Sequence, residues 1–199
     1  MALYNHLVIM AKAPKIGQVK SRLANQIGAF AAYKFYFNTM KNTIFKLSDS
    51  RWKISIAITP DLALKSKKPW NGAKNLIPQG GGSLGKRMEK IMSAMPRGPK
   101  VIVGTDIPHI QKKHIERAFA ALNSSDAVFG PSFDGGFWLV GLKRRPKVIK
   151  LFANVRWSNK NTLKDTIKNL PPEANFLLLD KLIDVDDLHS LNRAQKIKI

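Results

Sequence analysis

Short apolar runs alternate with longer segments of helical periodicity along the chain, and this alternation limits the possible folds more than any single motif does. Residues 7–10 form the first apolar run, and a loop follows it. Leu23, Ile27, Phe30, Phe37, Met40, Ile44 and Leu47 then recur at three- and four-residue spacing, the pattern of one buried face on a long helix. In residues 52–58, Trp52, Ile54, Ile56 and Ile58 alternate with smaller or polar side chains, which reads as a strand. A polar segment with Pro60, Pro69 and Gly72 leads to a short run at residues 75–77, a glycine-rich loop, and a helix marked by Leu84, Met88, Ile91 and Met95. Residues 101–103 read as a strand, and Ile115, Ala118, Phe119 and Leu122 as a helix face. Residues 127–129 and 137–142 read as strands on either side of a turn-rich segment. A helix near residues 162–170, a run at 176–179 and a last helix after Asp187 complete the pattern. Strands alternating with helices imply an α/β protein whose mostly parallel sheet is covered on both faces.

At 199 residues and 44% hydrophobic, the chain can bury one sizeable core, and residues 1–199 are expected to form a single domain. The absence of cysteine excludes disulfides, zinc-thiolate sites and thiol nucleophiles. The run at residues 7–10 is far shorter than the roughly 7 to 15 residues of a signal-peptide core or the roughly 20 of a membrane helix. A cytoplasmic protein with no membrane span is therefore expected. The formal charge of +21 raises polyanionic partners, from nucleic acid to phosphorylated substrates. Lysines are scattered, with modest clusters at residues 65–68, 112–113 and 143–147, and no nucleic-acid-binding motif accompanies them. Nucleic acid is not the expected partner.

In open α/β sheets, ligands bind outside the carboxyl ends of the strands, so the segments that follow strands are where chemistry belongs. After the first strand, AKAPKIGQVKSRL places Lys12, Lys15, Lys20 and Arg22 around Gly17, where the loop turns into a helix. Glycine allows close approach of an anion, and cations beside unpaired helix-start N–H groups suit a diphosphate. The segment matches neither the P-loop nor the dinucleotide fingerprint, and a solvated basic loop is the competing reading. QGGGSLGKRM supplies Gly80, Gly81, Gly82 and Gly85, then Arg87. It is either a flexible connector or a nucleotide-binding loop closing over base or ribose through Gly80, Gly85 and Arg87.

VIVGTDIPHI ends an apolar strand with Thr105 and Asp106. Asp106 is placed to hold Mg²⁺ or Mn²⁺ by carboxylate oxygen, unless it or Thr105 only caps the next helix. In FGPSFDGGFWLVGL, Asp134-Gly135-Gly136 is a tight-turn signal. The same turn would bring Asp134 to the sheet edge shared with Asp106, where a carboxylate could orient or deprotonate an acceptor hydroxyl. LIDVDDLHSL groups Asp184, Asp186 and Asp187 before a helix, and capping explains one of the three. The four histidines show no zinc-ligand spacing, and no GxSxG elbow is present.

Taken together and in order, AKAPKIGQVKSRLA, QGGGSLGKRM, VIVGTDIPHI, FGPSFDGGFWLVGL and WSNKNTLKDT resemble the nucleotide-diphospho-sugar transferase superfamily. Specifically, they resemble a bacterial family that includes arsenosugar-biosynthesis glycosyltransferases. The molybdenum cofactor and phospholactate nucleotidyltransferases are more distant relatives. The resemblance implies a Rossmann-like three-layer α/β/α glycosyltransferase A fold. It further implies phosphate contacts by Lys12, Gly17, Lys20 and Arg22, metal binding by Asp106 with Asp186 as second ligand, and Asp134 in the acceptor region. Ser83 stands where that family usually has aspartate, and Phe137 and Trp138 where tyrosine is common. These departures bear on the nucleotide contacts and the acceptor pocket respectively.

The expected activity is metal-dependent glycosyl transfer from a nucleotide-sugar to a small-molecule acceptor, with Asp134 catalytic. The alternative is nucleotidyl transfer from a nucleoside triphosphate to a phosphorylated acceptor, with release of pyrophosphate.

Overall fold

Strand β1 (His6–Lys12) is almost continuously apolar because it lies at the centre of a sheet with both faces covered. The computed structural model describes residues 4–66, 69–70, 75–143 and 149–197, so Gly72 and the lysines at 67, 68 and 147 lie outside the described residues. β1 pairs in parallel with β2 (Lys53–Thr59) and β4 (Lys100–Val103), and β2 pairs in parallel with β3 (Leu76–Pro78). Ser55 to Ile58 of β2 are all buried. The alternation read there reflects which face each side chain joins, and not a wet side.

β6 (Phe137–Leu142) runs antiparallel both to β4 and to β5 (Ala127–Pro131), and β7 (Phe176–Leu178) adds to β5 in parallel. The resulting order is β3-β2-β1-β4-β6-β5-β7. The sheet is thus mostly parallel with one reversed strand inside it, the arrangement of a three-layer glycosyltransferase A-like fold.

Helices cover both faces. Leu7, Ile9, Val101, Val103 and Leu139 pack against Ile115, Phe119 and Leu122 of α4 (Lys112–Ser124). Val8, Ile102, Phe129 and Val140, of opposite parity, pack against Met88, Ile91 and Met92 of α3 (Leu84–Ala94). Each such fully buried side chain contributes about 1.5–3 kcal/mol. Partly buried Leu163 and Ile167 from α5 (Thr162–Lys168) join α3's layer. Tyr36 and Met40 of α2 (Ala29–Lys46) pack on Ile56 and Ile58, on the α4 side.

The long helix expected from Leu23 to Leu47 is two helices, α1 (Ser21–Ile27) and α2, broken at Gly28. Gly28 has φ +89°, a left-handed value that ends α1 and re-aims the chain. Phe30, placed in the buried face by its spacing, is 66% exposed as a result. A short 3-10 helix at Asp61–Lys65 had no periodic signal. Lys100, 1% exposed, is tolerated in β4 because its ammonium donates to the carbonyls of Met92 and Met95 at the end of α3. Among the described residues, no helix is long and apolar enough to cross a membrane.

Candidate active site

The carboxyl ends of β1, β2 and β4 and the start of the reversed β6 open into one cavity of about 540 Å³. It lies where a parallel sheet presents its loops, which is the place the strand-end rule selects. Lys12, Lys20, Arg22, Arg87, Asp106, Asp134 and Asp186 all line it, so most of the residues singled out from sequence come together. Gly17, Gly80 and Gly85 are not on its wall. Gly17 sits in an exposed turn with φ +75°, and Gly80 follows β3. Gly85 is buried in α3, where a Cβ would lie 2.7 Å from Trp157, so it serves packing.

The cavity lining includes an ion cluster. Lys20 Nζ lies 2.8 Å from Asp106 Oδ1 and 2.7 Å from Asp186 Oδ1, and the Lys20 side chain is only 6% exposed. Burial alone would lower the Lys20 pKa, but the charges of Asp106 and then Asp186 outweigh it and hold the value above normal. Arg22 reaches the far oxygen of Asp186 at 4.0 Å from an exposed position. Two backbone features create the cluster. The Asp106 carbonyl accepts a hydrogen bond from the Val185 amide at 2.9 Å, which ties the loop after β4 to residues 183–186. Lys20 has φ 51° and ψ 49°, a left-handed conformation that is rare for a side chain of this kind.

A second group lies on the side of β2 and α3. Gln79, 3% exposed, donates to the carbonyls of Ala11 and Ala57, and this fixes its Oε1 to accept from Arg87 at 2.7 Å. The guanidinium of Arg87 is thereby aimed along the cavity wall. Ser83 caps α3 by accepting from the Lys86 amide, and it is not among the cavity residues. Its replacement of aspartate therefore preserves the helix start. Tyr36 both accepts from the Lys12 amide at 2.8 Å and donates to the Lys12 carbonyl at 2.7 Å, while Thr105 donates to its hydroxyl. Burial pushes its pKa up to about 12, so it stays neutral and braces the loop after β1.

The third group is on the β5–β6 side. Asp134 Oδ1 accepts from Ser132 Oγ and from the Gly136 amide, so the turn expected at Asp134-Gly135-Gly136 exists and also presents the carboxylate to the cavity. Gly135 is required there: its φ is +87°, and a Cβ would meet the Lys160 carbonyl oxygen at 2.2 Å. Asp184 faces the same space, its pKa pushed up to about 6 by burial first and by the charge of Asp134 second. Phe137 and Trp157 complete this end of the wall.

Asp187 does what capping predicts, accepting from the Ser190 amide at the start of α6 (Leu188–Gln195). Sequence reasoning named Asp184 without giving it a site. Its signal is the two-residue period in which Ile183 and Val185 are buried while Asp184 and Asp186 turn to the cavity. Tyr36 and Gln79 carry no comparable signal, since both look like ordinary polar positions.

Among the described residues, no group of three or more acidic or histidine side chains is arranged to hold a metal. Asp106 and Asp186 nonetheless fit a hard cation: two carboxylate oxygens already converge on one ammonium nitrogen. Mg²⁺ is commonly held by one or two carboxylates and completed by substrate phosphates.

A family model described as "Uncharacterized protein conserved in bacteria (DUF2064)" matches residues 44–159. No curated protein matches the chain. Among solved structures, the chain is similar to a protein of Desulfovibrio desulfuricans G20 described as a "putative nucleotide-diphospho-sugar transferase". The two share 25% identity and a TM-score of 0.87, over 98% of this chain and 87% of that one. It is also similar in fold to Rv0371C of Mycobacterium tuberculosis H37Rv in complex with manganese, at 12% identity and TM-score 0.55, over 98% of this chain and 100% of that one. A third likeness is to CMP:2-keto-3-deoxy-manno-octonic acid synthetase complexed with CTP, at 9% identity and TM-score 0.58, over 98% and 100% of the two chains.

Proposed function

From the premise that this chain belongs to the DUF2064 family, we propose that it is a transferase moving a glycosyl group from a nucleotide-diphospho-sugar to a hydroxyl of a small acceptor. Residues 1–199 act as one unit in this reading. The observation that carries it is the division of charge within one cavity. Lys12 and Arg87, with no carboxylate partner among the described residues, share its lining with the neighbouring Asp134 and Asp184 and with the Lys20–Asp106–Asp186 cluster. The likeness to the Desulfovibrio protein supports the donor class.

Lys12, Arg22 and Arg87 bind the diphosphate, each as a charged donor to phosphate oxygen. Gln79 keeps Arg87 in place. Asp106 and Asp186 would hold a Mg²⁺ or Mn²⁺ ion, which would supply positive charge to stabilise the departing diphosphate. Asp134 accepts the proton of the acceptor hydroxyl as that oxygen bonds to the anomeric carbon. The bond from the anomeric carbon to the phosphate oxygen breaks, and the nucleoside diphosphate leaves with that oxygen. Trp157 and Phe137 offer aromatic surface to an acceptor.

Nucleotidyl transfer is the second reading, and the shared fold of the CTP-bound synthetase favours it. It requires a phosphorylated acceptor beside Asp134 and Asp184. Asp134 is bonded to Ser132 and the Gly136 amide and lies close enough to Asp184 to raise that residue's pKa, and this concentration of negative charge favours a hydroxyl acceptor over a phosphate.

Calorimetry with nucleotide-sugars and Mg²⁺ or Mn²⁺, followed by product analysis, tests the proposal. Binding and release of nucleoside diphosphate are expected. Pyrophosphate release from a triphosphate as the main activity, or no nucleotide binding at all, would overturn it.

A further inference from the structure

Lys20 occupies the very position that a cation shared by Asp106 and Asp186 would take. Its ammonium is within 2.8 Å of one oxygen from each carboxylate, and its side chain is shielded from water. A divalent ion on those oxygens and an ammonium left in place would be two cations within hydrogen-bonding distance of the same atoms, a separation at which their repulsion is strong. Both cannot stay.

We propose that the Lys20 ammonium is a built-in competitor for the divalent cation, so that metal enters between Asp106 and Asp186 only as Lys20 moves off them and onto the phosphates of the nucleotide. This rests on the transferase reading above. Three features of the chain support it. The backbone of Lys20 is held in a left-handed conformation, and such strain persists only where surrounding structure imposes it. Lys20 borders the same cavity as Lys12 and Arg87, neither of which has a carboxylate partner among the described residues. Arg22, the remaining cation near the cluster, is 68% exposed and 4.0 Å from Asp186, and so does not clamp the carboxylates in Lys20's absence.

The consequence is coupling. A nucleotide that draws Lys20 away clears the oxygens for metal, and metal that displaces Lys20 delivers an ammonium to the phosphates. By linkage, each ligand raises the affinity of the other by the same factor. Without nucleotide, the protein holds metal weakly and its two carboxylates remain paired.

The test is Mn²⁺ titration by calorimetry on wild type and Lys20→Met, with and without UDP, each variant first checked for folding by circular dichroism. Without UDP, Lys20→Met is expected to bind Mn²⁺ more tightly than wild type by on the order of tenfold, and UDP should narrow the difference. In parallel, reductive methylation of the wild type read by mass spectrometry should find Lys20 protected without metal and reactive at saturating Mn²⁺. Equal or weaker Mn²⁺ binding by Lys20→Met overturns the proposal, as does a Lys20 that stays protected while Mn²⁺ saturates. If Lys20→Met does not fold, the methylation result decides alone. Should neither protein bind Mn²⁺ even with UDP, the transferase reading falls and this proposal with it. Binding by wild type with UDP, but no gain from Lys20→Met, defeats only the competition.

Discussion

The Asp106 carbonyl accepts the Val185 amide at 2.9 Å, and this one backbone hydrogen bond joins two acidic loops that are nearly eighty positions apart in the sequence. Because Val185 is fully buried, its neighbours Asp184 and Asp186 are turned outward into the cavity. The carboxylates of Asp106 and Asp186 then have one place to meet, and Lys20 is in it.

Asp106→Asn should leave the fold intact, because Asp106 is 40% exposed and Asp186 still pairs with Lys20. Metal-dependent release of nucleoside diphosphate should fall by about 10²–10³-fold in kcat, the loss typical of removing one electrostatic stabiliser. Activity within a few-fold of wild type would remove Asp106 from the site.

Arg87→Ala is expected to weaken nucleoside diphosphate binding by about 1.5–3 kcal/mol, roughly 10–150-fold, as for other hydrogen bonds to charged groups. Gln79→Leu should weaken it less, since the guanidinium survives but loses the acceptor that aims it. Calorimetry on the two variants should rank them in that order, and the reverse ranking would show that Gln79 itself contacts the nucleotide.

Asp134→Asn separates turn from chemistry. The amide oxygen still accepts from the Gly136 amide, so the turn should survive. Nucleotide affinity should therefore stay unchanged while kcat drops by about 10²–10⁴-fold, the range for losing a general base. A parallel loss of nucleotide affinity would place Asp134 in the donor subsite instead.

Gly135→Ala should destabilise the protein by about 1–3 kcal/mol from backbone strain alone, with the clash against the Lys160 carbonyl adding to it. Thermal melts are expected to move down by several degrees. An unchanged melting temperature would mean that the turn can rearrange.

His6 and His114 give the fold a pH dependence. Burial first, and then nearby lysines, Lys100 for His6 and Lys113 for His114, hold both pKa values below the usual 6.5. The unfolded chain takes up these protons more readily than the folded one. The stabilisation is therefore complete above about pH 6.5 and is lost as pH falls through the lower folded values. Protonation of His114 Nδ1 also removes the acceptor of the Gln111 amide at the start of α4. Melting temperature should fall between pH 7 and 5, and less steeply in His114→Asn. A flat profile in wild type would contradict this account.

Much of the frame was legible because strands and helices differ in period, and burial enforces the period. The strand-end location of Asp106 followed from that frame. The reversal of β6 did not, since an apolar run such as Phe137–Leu142 has no direction written in it. The break at Gly28 was hidden for a related reason: apolar spacing continued across it while the backbone turned. Sequence assigned Lys20 to phosphates and Asp106 and Asp186 to a metal, which leaves a gap between the ammonium and the carboxylates. In the structure, Lys20 closes that gap, a pairing set by the left-handed turn at Lys20 and by the Val185 hydrogen bond, neither of which leaves a compositional trace.

The reversal of β6 gives the cavity two independent builders. The basic loop, Gln79 and Arg87 come from the parallel half of the sheet, whereas Asp134 and Phe137 sit on the hairpin that links β5 to β6. A hairpin can be lengthened, shortened or exchanged without shifting the register of the strands beside it. Under the proposed transfer, such a protein is equipped to change its acceptor while keeping the same grip on its donor.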